Sequence, residues 1–205
     1  MGEWMARIEG AQITREQFLM REMRVVCQLR MDGLDDETVI EKVASENLIQ
    51  YPTERMVGNI ARVCVKRMNA VESERIVSII ASGLPEAAAQ ANLYAMMCTY
   101  PIVRDFMVNE VGRRYREYDL ALGQMEMNAY ITRLESEYDN ISEVSESTIA
   151  KIKQVLRKGL VECGMLRSAR SDRLEPIFLD FDVRGAIENK GDAEALSAFN
   201  VQGAM

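Results

Sequence analysis

Apolar residues recur every three to four positions along most of the chain, which is the spacing of an amphipathic α-helix. In residues 147–163, for example, Ile149, Ile152, Leu156 and Leu160 share one side of a helix. The 205 residues include only four prolines and twelve glycines, so few positions interrupt a helix. The pattern predicts helices at residues 14–31, 36–46, 53–69, 72–81, 85–99, 102–122, 125–138, 147–163 and 183–199.

The pattern changes after Gly164, where several arginines precede Pro176 and a short apolar run. This stretch allows one short β-hairpin near residues 166–180, with an irregular loop as the alternative. The predicted fold class is therefore mainly α, a globular helical bundle with helix-turn-helix and winged-helix-like elements. Within one compact unit we expect four consecutive parts, which are a helix-turn-helix-like subdomain at 1–70, a central helical region at 71–138, a winged-helix-like subdomain at 139–199 and a tail at 200–205.

The predicted helix at 53–69 has a polar face opposite its apolar one. Arg55, Asn59, Arg62 and Lys66 cluster there within roughly 60° on a helical projection. A short helix and a polar connector precede it, so it occupies the position of a recognition helix. These side-chain types suit phosphates and base edges in DNA. The alternative is that this face, like most charged helix faces, is only solvated.

The segment 147–173 concentrates positive charge, with seven basic and two acidic residues and hence a net charge of +5. A basic helix followed by a basic hairpin or loop is the order of a winged helix. A face that docks on an acidic protein is the alternative. The candidate DNA-binding side chains of this segment are Lys151, Lys153, Gln154, Arg157, Lys158, Arg167, Arg170 and Arg173.

The composition argues against catalysis, because the chain has no histidine and neither nucleotide-binding glycine motif. The four cysteines are far apart and lie among apolar residues, which predicts buried, reduced thiols. A magnesium site at Asp180 and Asp182 with Glu175 is conceivable but lacks a neighbouring lysine at nuclease-like spacing. We therefore expect a protein that is not an enzyme, with no cofactor, no bound metal and no small-molecule substrate.

The location of the protein is suggested by what interrupts its apolar stretches. Glu3, Arg7 and Glu9 interrupt the start of the chain, so we expect no signal peptide. The longest uncharged run, 87–103, is shorter than the ~20 residues that span a bilayer. It predicts a buried helix that ends near Pro101, and the expected location is cytoplasmic, without a membrane partner.

Three blocks of the sequence resemble the BrxA family of bacterial BREX phage-exclusion systems. They are ENLIQYPTERMVGNIARVCVKRMN (46–69), DFMVNEVGRRYREYDLALGQMEMNAYITRLES (105–136) and SESTIAKIKQVLRKGLVECGML (145–166), and the resemblance runs from about residue 14 to residue 180. It implies an all-helical fold with helix-turn-helix elements and association with DNA in a multi-protein defence system. It implies no catalytic residues.

The resulting hypothesis is a non-enzymatic accessory of a BREX system that binds double-stranded DNA through its basic helices, mainly by electrostatic attraction. Other BREX components are further expected partners. The alternative is a protein-interaction adaptor or scaffold, in which the same faces dock on other components of the defence complex.

Overall fold

Most of the predicted helices form close to their predicted positions in the computed structural model, which describes Ile8 and residues 11–201. In chain order they are α1 (Met20–Met31), α2 (Asp36–Ser45), α3 (Glu54–Ala70), α4 (Glu74–Ser82), α5 (Pro85–Thr99), α6 (Pro101–Asp105), α7 (Arg113–Glu117), α8 (Gln124–Glu137), α9 (Asp139–Ser142), α10 (Glu146–Glu162), α11 (Phe181–Asn189) and α12 (Ala193–Leu196). A π-helical segment, Phe106–Gly112, joins α6 to α7, and short 3₁₀ helices lie at Ala11–Thr14 and Ser197–Phe199. The mainly α fold class is confirmed.

Helix starts follow the capping residues in the sequence. Asp35, Thr53 and Ser145 precede α2, α3 and α10, and each side chain accepts a hydrogen bond from a main-chain N–H of the first turn. Such caps satisfy donors that otherwise lack a partner, typically contributing about 1 kcal/mol each. The buried helix predicted from the uncharged run is α5, in which residues 87–97 are all buried.

Three predicted helices have different bounds for identifiable reasons. The helix expected at 183–199 is divided into α11 and α12, because Gly191 between them adopts a left-handed backbone (φ 75°). The helix expected from residue 14 begins at Met20, because Leu19 has a left-handed backbone (φ 51°) and the Phe18 carbonyl accepts side-chain hydrogen bonds instead of helical ones. The helix expected to reach residue 122 ends at Glu117, because Tyr118 also adopts a left-handed backbone (φ 56°).

The β-hairpin considered for 166–180 does not form, since no strand occurs there or elsewhere in the part of the chain that the structure describes. The segment pairs instead with residues just before α8. The main-chain N–H of Leu122 donates to the Asp172 carbonyl at 2.7 Å, and that of Leu174 donates to the Leu120 carbonyl at 2.8 Å.

Pro176 explains why this pairing stays short. The Glu175 N–H still donates to the Met165 carbonyl at 2.9 Å, which joins the two ends of the intervening turn. Proline has no N–H to donate, so the ladder cannot continue through the next residue. The result is a turn at residues 166–174, which we call the basic turn, joined to residues 120–122 by the two main-chain hydrogen bonds given above.

The contacts divide the chain into two compact units, each assembled from distant segments. The α3 unit comprises Phe18–Thr99 and Asp180–Lys190, and the α10 unit comprises the described residues of Met1–Gln17, Tyr100–Leu179 and Gly191–Met205. The four consecutive parts expected from the sequence stay a prediction. The expected tail at 200–205 falls largely outside the described residues, which end at Val201.

Each unit has its own apolar core. In the α3 unit, α1, α3 and α4 pack around the buried α5, with Met23, Cys64 and Ile80 among the fully buried side chains. In the α10 unit, the rings of Phe106 and Tyr130 meet edge to face with centroids 5.1 Å apart. In each unit, the basic helix packs its apolar face against the core and leaves its polar face exposed to solvent.

Candidate nucleic-acid interface

The α10 helix exposes basic side chains because its apolar stripe is buried as predicted. Ile149, Ile152, Leu156, Leu160 and Cys163 are all buried. On the other side of the helix, Lys151, Gln154 and Lys158 are exposed to solvent. The 3.6-residue period therefore places these three side chains together on one accessible face.

Arg157 lies on the same helix but is half-buried, and each of its three side-chain nitrogens donates a hydrogen bond. Its Nε donates to the carbonyl of Ala169 at 3.1 Å, its Nη1 donates to that of Leu122 at 2.7 Å, and its Nη2 donates to that of Ser171. Burial lowers the pKa of this guanidinium below its ordinary value, while the carboxylate of Asp172 acts in the opposite direction. Arg157 thus joins the basic turn and the segment just before α8 to α10.

The basic turn carries the three arginines predicted as a wing. Arg170 and Arg173 are exposed, and Arg167 pairs with Glu175 at 2.7 Å while remaining 80% exposed. Arg173 also forms an isolated antiparallel bridge with Ala121. The turn therefore presents positive charge beside the helix to which Arg157 ties it.

We call these side chains the α10 surface. It consists of Lys151, Lys153, Gln154, Arg157, Lys158, Arg167, Arg170 and Arg173. Lys153 is half-buried and donates to the Asn128 side-chain oxygen at 2.6 Å. The structure thus leaves most of the predicted residues accessible and uses Lys153 and Arg157 within the fold.

The second predicted group, which we call the α3 face, lies in the other unit. Arg55, Asn59, Arg62 and Lys66 are all exposed along α3, and Arg62 donates to the Asn59 side-chain oxygen at 3.2 Å. Their predicted alignment on one face is therefore present. Met56, expected on the apolar side, is 45% exposed.

The α3 face has acidic neighbours that the sequence did not reveal. A groove between α2 and α3 is lined by Glu37 and Glu41 from α2, and by Glu54, Arg55 and Arg62 from α3. Carboxylates beside the guanidinium groups lower the positive potential that a phosphate would meet. The α3 face is therefore a mixed-charge surface.

Acidic residues also border the α10 surface, since Glu135 and Glu146 line a groove with its Lys153, Gln154 and Arg157. The two surfaces differ in the number of basic side chains, which is seven on the α10 surface and three on the α3 face.

The buried position of Arg67 was also not predicted from the sequence pattern. It is fully buried in α3 and its Nη1 donates to the Phe18 carbonyl at 3.1 Å, where Asn92 also donates at 2.7 Å. An arginine between apolar Val65 and Met68 was the available signal, since a charge on the apolar side of a helix needs a buried partner.

The carboxylates considered for a metal serve the fold. Asp180 accepts hydrogen bonds from two main-chain N–H groups at the start of α11, and Asp182 pairs with Arg75 at 2.6 Å. Across the residues with described positions, no cluster of three acidic or cysteine side chains could hold a metal ion.

Three of the four cysteines are buried as the sequence predicted, and Cys98 is more exposed than expected. Cys27, Cys64 and Cys163 are buried, Cys98 is half-buried and all four are free thiols. Burial raises the pKa of the Cys64 thiol to about 12. None of the helices described here is both long and apolar enough to cross a lipid bilayer.

A family model and two known proteins that match this chain all carry the same family name. A model of the BrxA family matches residues 10–191. The chain is 24% identical over 179 residues to a BREX protein BrxA from Escherichia coli O9:H4 (strain HS), covering 87% of this chain and 84% of that one. It is 26% identical over 175 residues to a BREX protein BrxA from Bacillus cereus (strain H3081.97), covering 85% and 87%.

A solved structure shares the fold. The crystal structure of an uncharacterized protein from Magnetospirillum magneticum superposes with a TM-score of 0.78 and 16% sequence identity. The match covers 92% of this chain and 96% of the other. At this identity the likeness concerns the fold alone.

Proposed function

The chain belongs to the BrxA family, and on this premise we propose that it is a cytoplasmic, non-enzymatic accessory of a BREX phage-defence system that binds duplex DNA. The family supports the role in phage defence. The α10 surface supports the choice of DNA, since it exposes lysines and arginines that can neutralise phosphates. The α3 face contributes less, because it has three basic side chains against seven on the α10 surface.

The observation that carries this proposal is the basic turn fastened beside a basic helix. Between Ser147 and Arg173, the acidic residues are Glu162 and Asp172 alone. From α7 onward the chain forms a helix, a short paired segment at 120–122, the helices α8 to α10, and the basic turn that pairs with that segment. This order resembles that of a winged helix. In such an arrangement, Lys151 and Lys158 contact phosphates and the Gln154 amide can reach a base edge.

Binding to duplex DNA across a salt series tests the proposal. We expect saturable binding at low salt, with the logarithm of the association constant falling linearly as the logarithm of salt concentration rises. Single-stranded DNA and RNA serve as competitors. Absence of binding at low salt, or binding that does not weaken with salt, would refute it.

The second candidate is an adaptor that docks on other BREX components, favoured by the mixed charge of the α2–α3 groove. It predicts association with another component that survives nuclease treatment. A Lys151→Glu/Lys158→Glu variant distinguishes the two functions of the α10 surface. If it loses DNA but keeps the protein partner, the α10 surface binds DNA and docking occurs elsewhere.

A further inference from the structure

Two exposed amide side chains of α8 border the α10 surface. Gln124 and Asn128 lie one helical turn apart, so they share one face of α8. Gln124 lines a groove together with Lys153 and Gln154 of α10. The Lys153 Nζ donates to the Asn128 Oδ1 at 2.6 Å. Helix α8 therefore adds uncharged polar groups to the flank of a surface whose other members are mostly basic.

The contact with Lys153 determines which amide atom of Asn128 is left for a ligand. An ammonium group can only donate, so the atom that it meets is the amide oxygen. The Nδ2 group donates to no acceptor in the part of the chain that the structure describes, and Asn128 is exposed. One of the three donors of the Lys153 ammonium serves Asn128, which leaves two. The pair therefore offers donors, while its one acceptor atom is already bonded.

A base edge suits these donors better than a phosphate does. Glu135 and Glu146 line the same groove as Lys153, and their carboxylates offset the positive charge that attracts a phosphate. A base edge carries no net charge, so the carboxylates repel it less. In the major groove, guanine alone presents two acceptors, N7 and O6, whereas adenine presents N7 beside the N6 donor. Donors without a free acceptor therefore match guanine and leave the amino group of adenine unpaired.

We propose that Lys153 and Asn128 together read a guanine in the major groove, so that this protein prefers particular duplex sequences. Lys151, Lys158 and the basic turn supply the phosphate contacts that hold the duplex in place. Lys153 contacts the base and also positions Asn128, whose Nδ2 supplies a second donor. This inference rests on the DNA-binding function proposed above and deepens it.

Selection of duplexes from a random-sequence pool by the purified protein tests the proposal. We expect guanine to be enriched at one position of the selected site. Exchange of that G·C pair for A·T should lower affinity at least about fivefold, the lower end of the discrimination by a good base contact. Replacement of the same guanine by 7-deazaguanine, which lacks the N7 acceptor and still pairs with cytosine, should also lower affinity.

Substitution of the pair is measured as the ratio of affinities for the selected duplex and its A·T exchange. Asn128→Ala should bring this ratio close to one and leave the salt slope unchanged, because the amide carries no charge. Lys153→Met should also lower the ratio, and the double variant should lower it no further than the larger single effect, since both side chains act on one base. Loss of a phosphate contact alone would weaken both duplexes alike.

Asn59→Ala is the matched control. Asn59 is an exposed asparagine of α3 whose side-chain oxygen accepts from the basic Arg62 at 3.2 Å. This substitution removes the same amide from the other basic helix, so the affinity ratio should stay unchanged. A ratio that Asn59→Ala abolishes, or that survives Asn128→Ala, would overturn the proposal.

The remaining outcomes separate this inference from the function on which it rests. Salt-dependent binding without any preferred base would overturn the guanine contact and leave DNA binding standing. Adenine at the selected position would also overturn it, because an asparagine released from Lys153 pairs with adenine through both of its amide groups. Absence of binding to any duplex at low salt would overturn both proposals.

Discussion

The α3 face and the α10 surface arise from the same sequence pattern and differ in their surroundings. Both helices bury an apolar stripe and expose basic residues. Arg55 and Arg62, however, line a groove with the carboxylates of α2, whereas Arg157 of α10 holds a turn that adds three further arginines to the α10 surface. Neighbours that are distant in sequence therefore decide which of two similar helices can attract a polyanion.

The two helices also share one less obvious feature. Each devotes an arginine to the main chain, Arg67 to the Phe18 carbonyl and Arg157 to the carbonyls of Ala169 and two other residues. A planar guanidinium with several donors can hold separate segments that an ammonium cannot. Counting basic residues thus overstates the charge that either surface offers a ligand.

The largest expected effect separates the two surfaces directly. A Lys151→Gln/Lys158→Gln/Arg170→Gln variant removes three charges from the α10 surface. If affinity at 1 M salt is unchanged and each charge contacts one phosphate, binding at 0.1 M salt falls by about 500-fold and the salt slope flattens by about 2.7. Fluorescence anisotropy with duplex DNA across salt concentrations measures both quantities.

The matched variant changes the same number of charges on α3. Arg55→Gln/Arg62→Gln/Lys66→Gln should lower affinity by less than about tenfold, equivalent to at most one phosphate contact. Equal losses from the two triple variants would contradict the prediction that the α10 surface is the principal DNA contact. A larger loss from the α3 variant would reverse the assignment of the principal surface.

Substitutions at Arg67 and Arg62 compare how much the buried and exposed sides of α3 contribute to stability. Arg67→Ala removes a buried donor to the Phe18 carbonyl and leaves a cavity, which together cost about 3–5 kcal/mol of unfolding free energy. Urea denaturation measures the change. Arg62→Ala, on the exposed face of the same helix, should stay within about 0.5 kcal/mol of the wild type. Similar values for both would mean that Arg67 is not held as described.

Within the α10 surface, Arg157 is bonded to the main chain whereas Lys158 is exposed, so the two residues should respond differently to substitution. Arg157→Lys keeps the charge but cannot serve three carbonyls, so the basic turn should loosen by about 1–3 kcal/mol. Hydrogen exchange of residues 166–174 should accelerate without DNA present, and DNA affinity should fall although the net charge is unchanged. Lys158→Arg, on the exposed neighbouring position, should leave exchange unaltered. Unchanged exchange in Arg157→Lys would show that Arg157 does not order the turn.

The sequence predicted what depends on periodicity and missed what depends on distant partners. The buried stripe of α10 and the buried α5 followed from apolar spacing, and the alignment of Arg55, Asn59, Arg62 and Lys66 followed from helical geometry. The role of Arg157 could not be predicted, because its acceptors are main-chain carbonyls 12, 14 and 35 residues away. Main-chain acceptors carry no sequence signature.

The smallest expected effect tests whether α3 can be strengthened without changing what it binds. A Cβ added at Gly58 would have Arg62 Nη1 as its nearest neighbour at 3.5 Å, an ordinary contact. Gly58→Ala should therefore gain about 1 kcal/mol of helix stability. At Gly83 the added Cβ would lie 2.5 Å from the Ile79 carbonyl oxygen, so Gly83→Ala should destabilise the same unit.

Urea denaturation of both variants, followed by the DNA titration, completes the test. Because we expect at most one phosphate contact from α3, Gly58→Ala should raise the urea midpoint and leave DNA affinity unchanged. A stabilised variant with markedly tighter DNA binding would instead show that the order of α3 limits recognition. That outcome would make the α3 face, despite its acidic neighbours, a principal part of the interface.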